Sequence, residues 1–244
     1  MREEIFNLTG ERDGTGLCYI AYPDSITPTL PYVIAAHGSG REALSYREIP
    51  FYCRQRDFAL DAGCAFAAVS NAKDTWGTDR GLERLIKLVQ WMEDHGGAKR
   101  FAVFGSSAGG TLAFRLALAL PKKAALILGV FPVIDLTAFC ESKVFQNAWG
   151  NMENGVLRSW AARANPAAQL ESLPPVNIVI CHGTRDDVVP AHEHVLRFAN
   201  RFPGKTWVHL SPAGHSIETM NLYDTDMILN ALLQYSRAVL HDRR

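Results

Sequence analysis

Short runs almost free of polar residues recur along the chain: 32–36, 64–70, 101–104, 124–130 and 176–181. Runs of this length with no polar face are what strands covered on both sides of a parallel sheet look like. Between them the apolar period changes to that of a helix. Leu82, Leu85, Ile86, Val89 and Met92 predict a helix opening near Asp79 and running towards Gly96-Gly97, and an Ala/Leu-rich run predicts a second one up to about Leu120, closed by Pro121. Residues 44–62 predict a helix interrupted near Pro50. Helical character returns around 155–164, at 191–202 and in a closing helix over 217–240, with a last strand at 206–210. At the start, the β-prone runs 5–8 and 17–21 flank an Asp13-Gly14 pair, a hairpin signal that predicts an antiparallel edge. Strands that alternate with helices predict an α/β fold, a mostly parallel sheet of about eight strands with helices on both faces. The mixed stretch 131–175 predicts a small cap-like insertion.

A chain of 244 residues with 48% hydrophobic content can bury a large core, and it is read as one domain, 1–244. Lys+Arg and Asp+Glu balance at 25 each, so no charge excess points to nucleic acid or to an anionic membrane surface. A small neutral or modestly polar ligand is the expected partner. Met1 is followed by charged residues rather than a basic and apolar leader, and no stretch approaches the length of a membrane span. The five cysteines, Cys18, Cys53, Cys64, Cys140 and Cys181, are odd in number and contain no C-x-x-C, which suits free core thiols in a reducing cytoplasmic setting.

The chemistry concentrates where apolar runs end. Gly105-Ser106-Ser107-Ala108-Gly109 fits G-x-S-x-G and lies where a strand passes at once into a helix, the setting that gives this motif meaning. A sharp strand-to-helix turn strains its central residue and leaves no room for side chains two positions to either side, so glycines at 105 and 109 relieve the crowding. Ser107 Oγ would then project from the carboxyl edge of the sheet, with the Ala108 N–H at a helix N-terminus where it can donate to an oxyanion. Taken alone, the same pentapeptide also suits a Gly/Ser loop before an ordinary helix. Further along, His182-Gly183-Thr184-Arg185-Asp186-Asp187-Val188-Val189-Pro190 and Gly214-His215 each follow a strand as well.

The order Ser107, Asp186, His215, together with His37-Gly38-Ser39-Gly40 after the first central strand, resembles the α/β-hydrolase superfamily from about residue 30 onward. Asn165-Pro166 and the run from His182 to Pro190 look most like its prolyl-oligopeptidase and dienelactone-hydrolase branches. The resemblance implies Ser107 as nucleophile, His215 as base and acid, Asp186 as the carboxylate orienting the imidazole, and the Ser39 and Ala108 N–H groups as oxyanion donors, with no metal and no cofactor. Asp187 and Asp135 compete with Asp186 for the acid position: Asp187 could cap a helix, and Asp135 follows the sixth strand. His37 and His182 read as loop-packing residues. His192 and His194, two positions apart, do not share a helix face and read as a solvated helix rather than a metal pair. Trp76, Trp149 and Trp160 read as packing residues.

The expected activity is that of a serine hydrolase cleaving esters of small to medium substrates. A prolyl-oligopeptidase-type peptidase and a non-catalytic ligand receptor on the same fold are the alternatives. The peptidases of that family usually add a second domain that selects chain ends, for which this chain has no residues.

Overall fold

The computed structural model describes residues 2–8, 10, 15–25, 29–150, 154–221 and 225–241. Its centre is an eight-stranded sheet in the order β1-β2-β4-β3-β5-β6-β7-β8. The strands are β1 Arg2–Asn7, β2 Leu17–Tyr22, β3 Tyr32–Ala36, β4 Ala65–Val69, β5 Phe101–Ser106, β6 Ala124–Val130, β7 Asn177–Gly183 and β8 Thr206–Ser211. β1 and β2 pair antiparallel and β2 joins β4 antiparallel, while every pairing from β4 through β8 is parallel. The Asp13-Gly14 turn expected between β1 and β2 lies outside the described residues.

Connection geometry sorts the helices. From β3 the chain steps one way through α1 Ser45–Glu48 and α2 Pro50–Asp61 to β4. It then steps back through α3 Asp79–Asp94 to β5, and onward through α4 Gly109–Ala119 to β6. Right-handed crossovers taken in opposite directions put α2 on one face and α3 with α4 on the other. α3 packs on α4, and α2 packs on α9 Thr225–His241. β3, β4 and β5 are buried along their whole length, as expected for strands covered on both sides.

Local chemistry sets the helix starts. Pro50 occupies the first turn of α2, where its missing N–H costs nothing. The Thr78 hydroxyl accepts the Gly81 N–H and caps α3. The stretch expected as one helix over 191–202 is instead a short α7, Ala191–His194, followed by a 3-10 segment, Leu196–Arg201. The path changes at Val195, where the side chains of both His194 and Val195 turn inward. Of the closing helix expected over 217–240, the described residues form α8 Glu218–Asn221 and α9, and 222–224 lie outside the described residues.

Between β6 and β7 lie α5 Lys143–Ala148, α6 Asn154–Ala164 and several 3-10 turns. Leu136, Phe145, Trp149, Leu157 and Ala161 gather there with Trp76 and Ala108 into an apolar cluster separate from the main core. That cluster therefore anchors the segment directly over the N-terminal end of α4.

Two polar links hold distant parts of the chain in place. The Tyr235 hydroxyl of α9 lies 2.9 Å from the carbonyls of both Tyr32 and Arg100, tying the closing helix to β3 and to the lead-in of β5. Arg84 of α3, its side chain only 2% exposed, donates to Asp74 at 2.8 Å, and Asp74 also accepts the Thr78 hydroxyl at 2.8 Å. This pair fixes the 3-10 turn Ala72–Trp76 against α3.

Arg84→Leu strands the Asp74 carboxylate in a covered site, so it should cost about 3 kcal/mol or more. In a chain of this size that lowers Tm by roughly 6–12 °C, measurable by calorimetry. The double variant Asp74→Asn, Arg84→Leu should recover much of the loss, because the remaining amide is neutral.

Candidate active site

The strand-to-helix turn at residues 105–109 is as tight as the motif demands. Ser107 has φ 52°, a left-handed conformation that an ordinary side chain adopts only under constraint. A Cβ added at Gly105 would sit 2.7 Å from Ala113 Cβ and 2.8 Å from the Gly109 carbonyl oxygen. One at Gly109 would collide with the Ala36 carbonyl, so the helix reaches this close to β3 only without a side chain. Backbone bonds fasten the turn: the Ser107 N–H donates to Val130 O at 3.1 Å, and Ser107 O accepts from Val133 and Gly110 at 2.9 Å. Ser106 points the other way, its hydroxyl donating to buried Gln55 at 2.9 Å.

Ser107 meets two other residues singled out in the sequence. Ser107 Oγ lies 3.0 Å from His215 Nε2, and His215 Nδ1 lies 2.8 Å from Asp186 Oδ2. The Asp186 side chain is fully covered while that of His215 is 21% exposed, so the imidazole alone links the carboxylate to the open side of the site. The other carboxylate oxygen accepts the Val188 and Val189 N–H groups at 3.0 and 2.8 Å. Burial pushes the Asp186 carboxyl up, but the His215 bond and the Val189 N–H outweigh it and hold it below its ordinary value.

The rival acids are placed elsewhere. Asp135 accepts from Thr137 N–H, the Thr137 hydroxyl and Asn165 Nδ2, capping the 3-10 turn Leu136–Phe139. Asp187 is exposed.

Of the proposed oxyanion donors, Ala108 follows Ser107 directly and precedes the first turn of α4, while Ser39 sits across from it in the loop after β3. Trp76 Nε1 donates to Ser39 Oγ at 3.0 Å, and the Gly38 N–H donates to the Tyr52 hydroxyl at 3.1 Å. A Cβ on Gly38 would lie 2.8 Å from the Tyr52 hydroxyl and 3.4 Å from Ser107 Cβ, so only glycine lets this loop come so near the serine. Trp76 is thus buried, as a packing residue should be, and also braces the loop. Trp149 donates to the Trp76 carbonyl at 3.2 Å, and Trp160 is 38% exposed beneath the Arg163 guanidinium.

The histidines divide. His37 is fully buried; its Nε2 accepts the Asn71 N–H at 2.9 Å, which leaves the ring proton on Nδ1 facing Gly38 O. His182 is buried and donates Nε2–H to Val189 O at 2.6 Å, 3.7 Å from Asp186. His194 departs from the expected solvated helix: it is fully buried, and its Nδ1 faces the Ile134 and Asp135 N–H groups at 3.4 and 3.3 Å. Of these four, His192 is the exposed one. Among the described residues no group of three His, Cys, Asp or Glu side chains is arranged to hold a metal ion. Cys18, Cys64, Cys140 and Cys181 are buried and Cys53 is half-buried, all as free thiols.

Three residues at the site carried no sequence signal. Phe131, just after β6, has φ 37°, and its ring stacks between Phe51 (5.4 Å) and the imidazole of His215 (4.0 Å between centroids). A left-handed aromatic residue costs on the order of 1–3 kcal/mol, a strain found where a side chain must be aimed. Tyr52 and Arg41 also face the site. Together with Trp76, Phe139, Val188 and Ile217 they line a cavity of about 410 Å³ that opens over Ser107.

Sheet order, crossovers and the turn at Ser107 are those of the α/β-hydrolase fold. The prolyl oligopeptidase family profile matches residues 67–209, and the chain belongs to that family. No curated protein sequence matches it. Solved structures that it resembles include a truncated carbohydrate esterase from gut microbiota, with 15% identity, TM-score 0.78 and 97% of each chain covered. Est1E from Butyrivibrio proteoclasticus is similar at 13% identity and TM-score 0.71, over 98% of this chain and 99% of that one. A puromycin-hydrolysing peptidase from Mycobacterium tuberculosis is similar at 19% identity and TM-score 0.70, over 98% of this chain and 39% of that one. The chain spans only 35% to 39% of the length of that peptidase and of the two other large proteins it matches. No helix among the described residues is long and apolar enough to cross a membrane.

The buried histidines predict acid lability. Burial lowers both His37 and His194 to about 4, whereas an unfolded histidine titrates near 6.5. Between those values the unfolded chain binds protons that the folded one refuses, so stability is intact above about pH 6.5 and falls as pH drops towards 4. Urea midpoints measured from pH 7.5 to 4 should fall steadily across that window. A flat profile would show that these rings are open to water.

Proposed function

We propose that the protein is a carboxylic-ester hydrolase acting through an acyl-enzyme on Ser107. The observation that carries this reading is the continuous hydrogen-bond chain Ser107–His215–Asp186 at the mouth of the cavity. Ser107 Oγ attacks the ester carbonyl, the C=O π bond gives way to an oxyanion, and His215 Nε2 takes the serine proton. The Ala108 and Ser39 N–H groups face the developing charge. Collapse of the tetrahedral adduct expels the alkoxide, which leaves as the alcohol with the proton held by His215. Water then repeats the sequence on the acyl group, with His215 again as base, and releases the acid. Asp186 keeps the imidazole in the tautomer that presents a bare Nε2 and stabilises the imidazolium once formed. The segment 131–175 serves as a small cap over this site.

Esters are favoured over peptides for a reason of charge and size. Apolar side chains line most of a cavity of modest volume, and no carboxylate is among its described lining residues to hold a peptide's terminal ammonium. Amide cleavage also requires His215 to protonate a poor amine leaving group, a demand that esters relax. Both large peptidases and compact esterases share this fold, so the family alone leaves the substrate open.

Ser107→Ala should lose on the order of 10⁴ or more in kcat on 4-nitrophenyl butyrate and all labelling by a fluorophosphonate probe. Ser106→Ala should keep both, at a cost of about 1–2 kcal/mol in stability from the partner stranded on Gln55. Labelling that survives in Ser107→Ala would place the nucleophile elsewhere.

A panel of acetyl, butyryl and long-acyl esters with dipeptidyl and prolyl amides tests the substrate class. The short esters should show the highest kcat/KM, and an amide preferred over every ester would move the protein to the peptidases.

A further inference from the structure

Resting on the serine-hydrolase reading above, we propose that the Ser107 cavity selects esters bearing a carboxylate near the scissile bond, with Arg41 as the group that recognises it. Arg41 is the one Arg, Lys, Asp or Glu side chain among the described residues lining that cavity. The rest of the wall nearby is hydrocarbon from Ile49, Phe51, Phe131 and Ile217. Arg41 is exposed, so its guanidinium is hydrated in the free protein and can exchange water for a substrate carboxylate.

The surroundings of Arg41 support a vacant partner position. Its guanidinium interacts with the Tyr52 hydroxyl, where burial pushes the phenol up while the Gly38 N–H and Arg41 both pull it back. Because the Gly38 N–H already donates to that oxygen, the Tyr52 proton is left to be donated in turn. Arg41 and Tyr52 thus offer a fork of N–H groups and one O–H from the same side of the cavity, which matches the two oxygens of a carboxylate. Among the described residues no carboxylate forms an ion pair with Arg41, whereas Arg47 of α1 is paired with Glu3 at 3.3 Å.

Other charges near Arg41 lie away from the serine. Ser39, Arg41 and Ile49 form a wall shared with a second depression, and there Lys73 stands with Glu42 and Glu48. Arg41 lines both depressions, while Lys73, Glu42 and Glu48 line only the second, so no carboxylate among the described lining residues of the Ser107 cavity opposes it. The Tyr52 hydroxyl is held next to Gly38, whose added Cβ would be 3.4 Å from Ser107 Cβ, so an anion bound here lies a few atoms from the reacting carbonyl. A substrate of this class is a half-ester of a dicarboxylic acid, or an ester of a hydroxy acid.

Two matched pairs test the proposal: 4-nitrophenyl hydrogen adipate against 4-nitrophenyl hexanoate, with the charge on the acyl side, and 3-(butyryloxy)benzoate against its methyl ester, with the charge on the alcohol side. At low ionic strength the charged member of at least one pair should have the higher kcat/KM, by about tenfold. Arg41→Gln should lower that charged-to-neutral ratio at least fivefold through KM, Arg41→Lys should keep part of it, and 0.5 M NaCl should compress it in the wild type. Equal or neutral-favouring ratios in both pairs, or a ratio untouched by Arg41→Gln, overturn the proposal while the hydrolase reading stands. If none of the four esters is cleaved and the fluorophosphonate fails to label Ser107, the hydrolase reading falls and this inference falls with it.

Discussion

Ser107 sits in a backbone conformation that costs energy, and much of the surrounding structure can be understood as what keeps it there. β5 delivers the chain into the turn from a fully buried position, and α4 starts without room for side chains at 105 and 109. Backbone bonds from Val130 and Val133 grip the turn from the neighbouring strand and the loop beyond it. Because these contacts are made by backbone atoms and by missing side chains, they tolerate little adjustment. Strain at one residue is thereby distributed over a rigid frame, and the hydroxyl is presented in one direction.

The second strained residue, Phe131, answers the first across the cavity. Its ring lies on the imidazole that touches Ser107, and Phe51 backs it from the other side. Two left-handed residues, each directly after one of two adjacent parallel strands, therefore converge on one imidazole. Asp186, fixed by two backbone N–H groups, sets the remaining side of that ring. The histidine is held by a carboxylate, an aromatic face and a hydroxyl, and its half-open edge is what remains for a substrate.

How much of this could be read beforehand depended on how local the signal was. Strands β3 and β6 are legible to the residue because an uninterrupted apolar run has few other uses, and Ser107 is legible because small residues cluster where strand turns into helix. Asp186 and His215 are legible only by position, each following a strand in the order that pairs with Ser107. Arg41, Tyr52 and Phe131 leave no such trace: their neighbours in space come from other elements, and an arginine, a tyrosine and a phenylalanine are ordinary in a helix or loop. His194 shows the opposite failure. Its i, i+2 spacing from His192 is right for a surface helix, but Val195 redirects the chain and buries the ring against the Ile134 and Asp135 amides.

The Tyr235 hydroxyl, meeting the Tyr32 and Arg100 carbonyls, sets a timetable for synthesis. Tyr32 leaves the ribosome 203 residues ahead of Tyr235, an interval of about 10–40 s at ordinary rates of elongation. Until α9 is made, the face of β6 and β7 that it packs on has no lid, and the nascent chain carries an apolar surface that its own later residues must reach before another chain does. The sheet is thus laid down from the β1 edge towards the β8 edge, with α9 added after all eight strands.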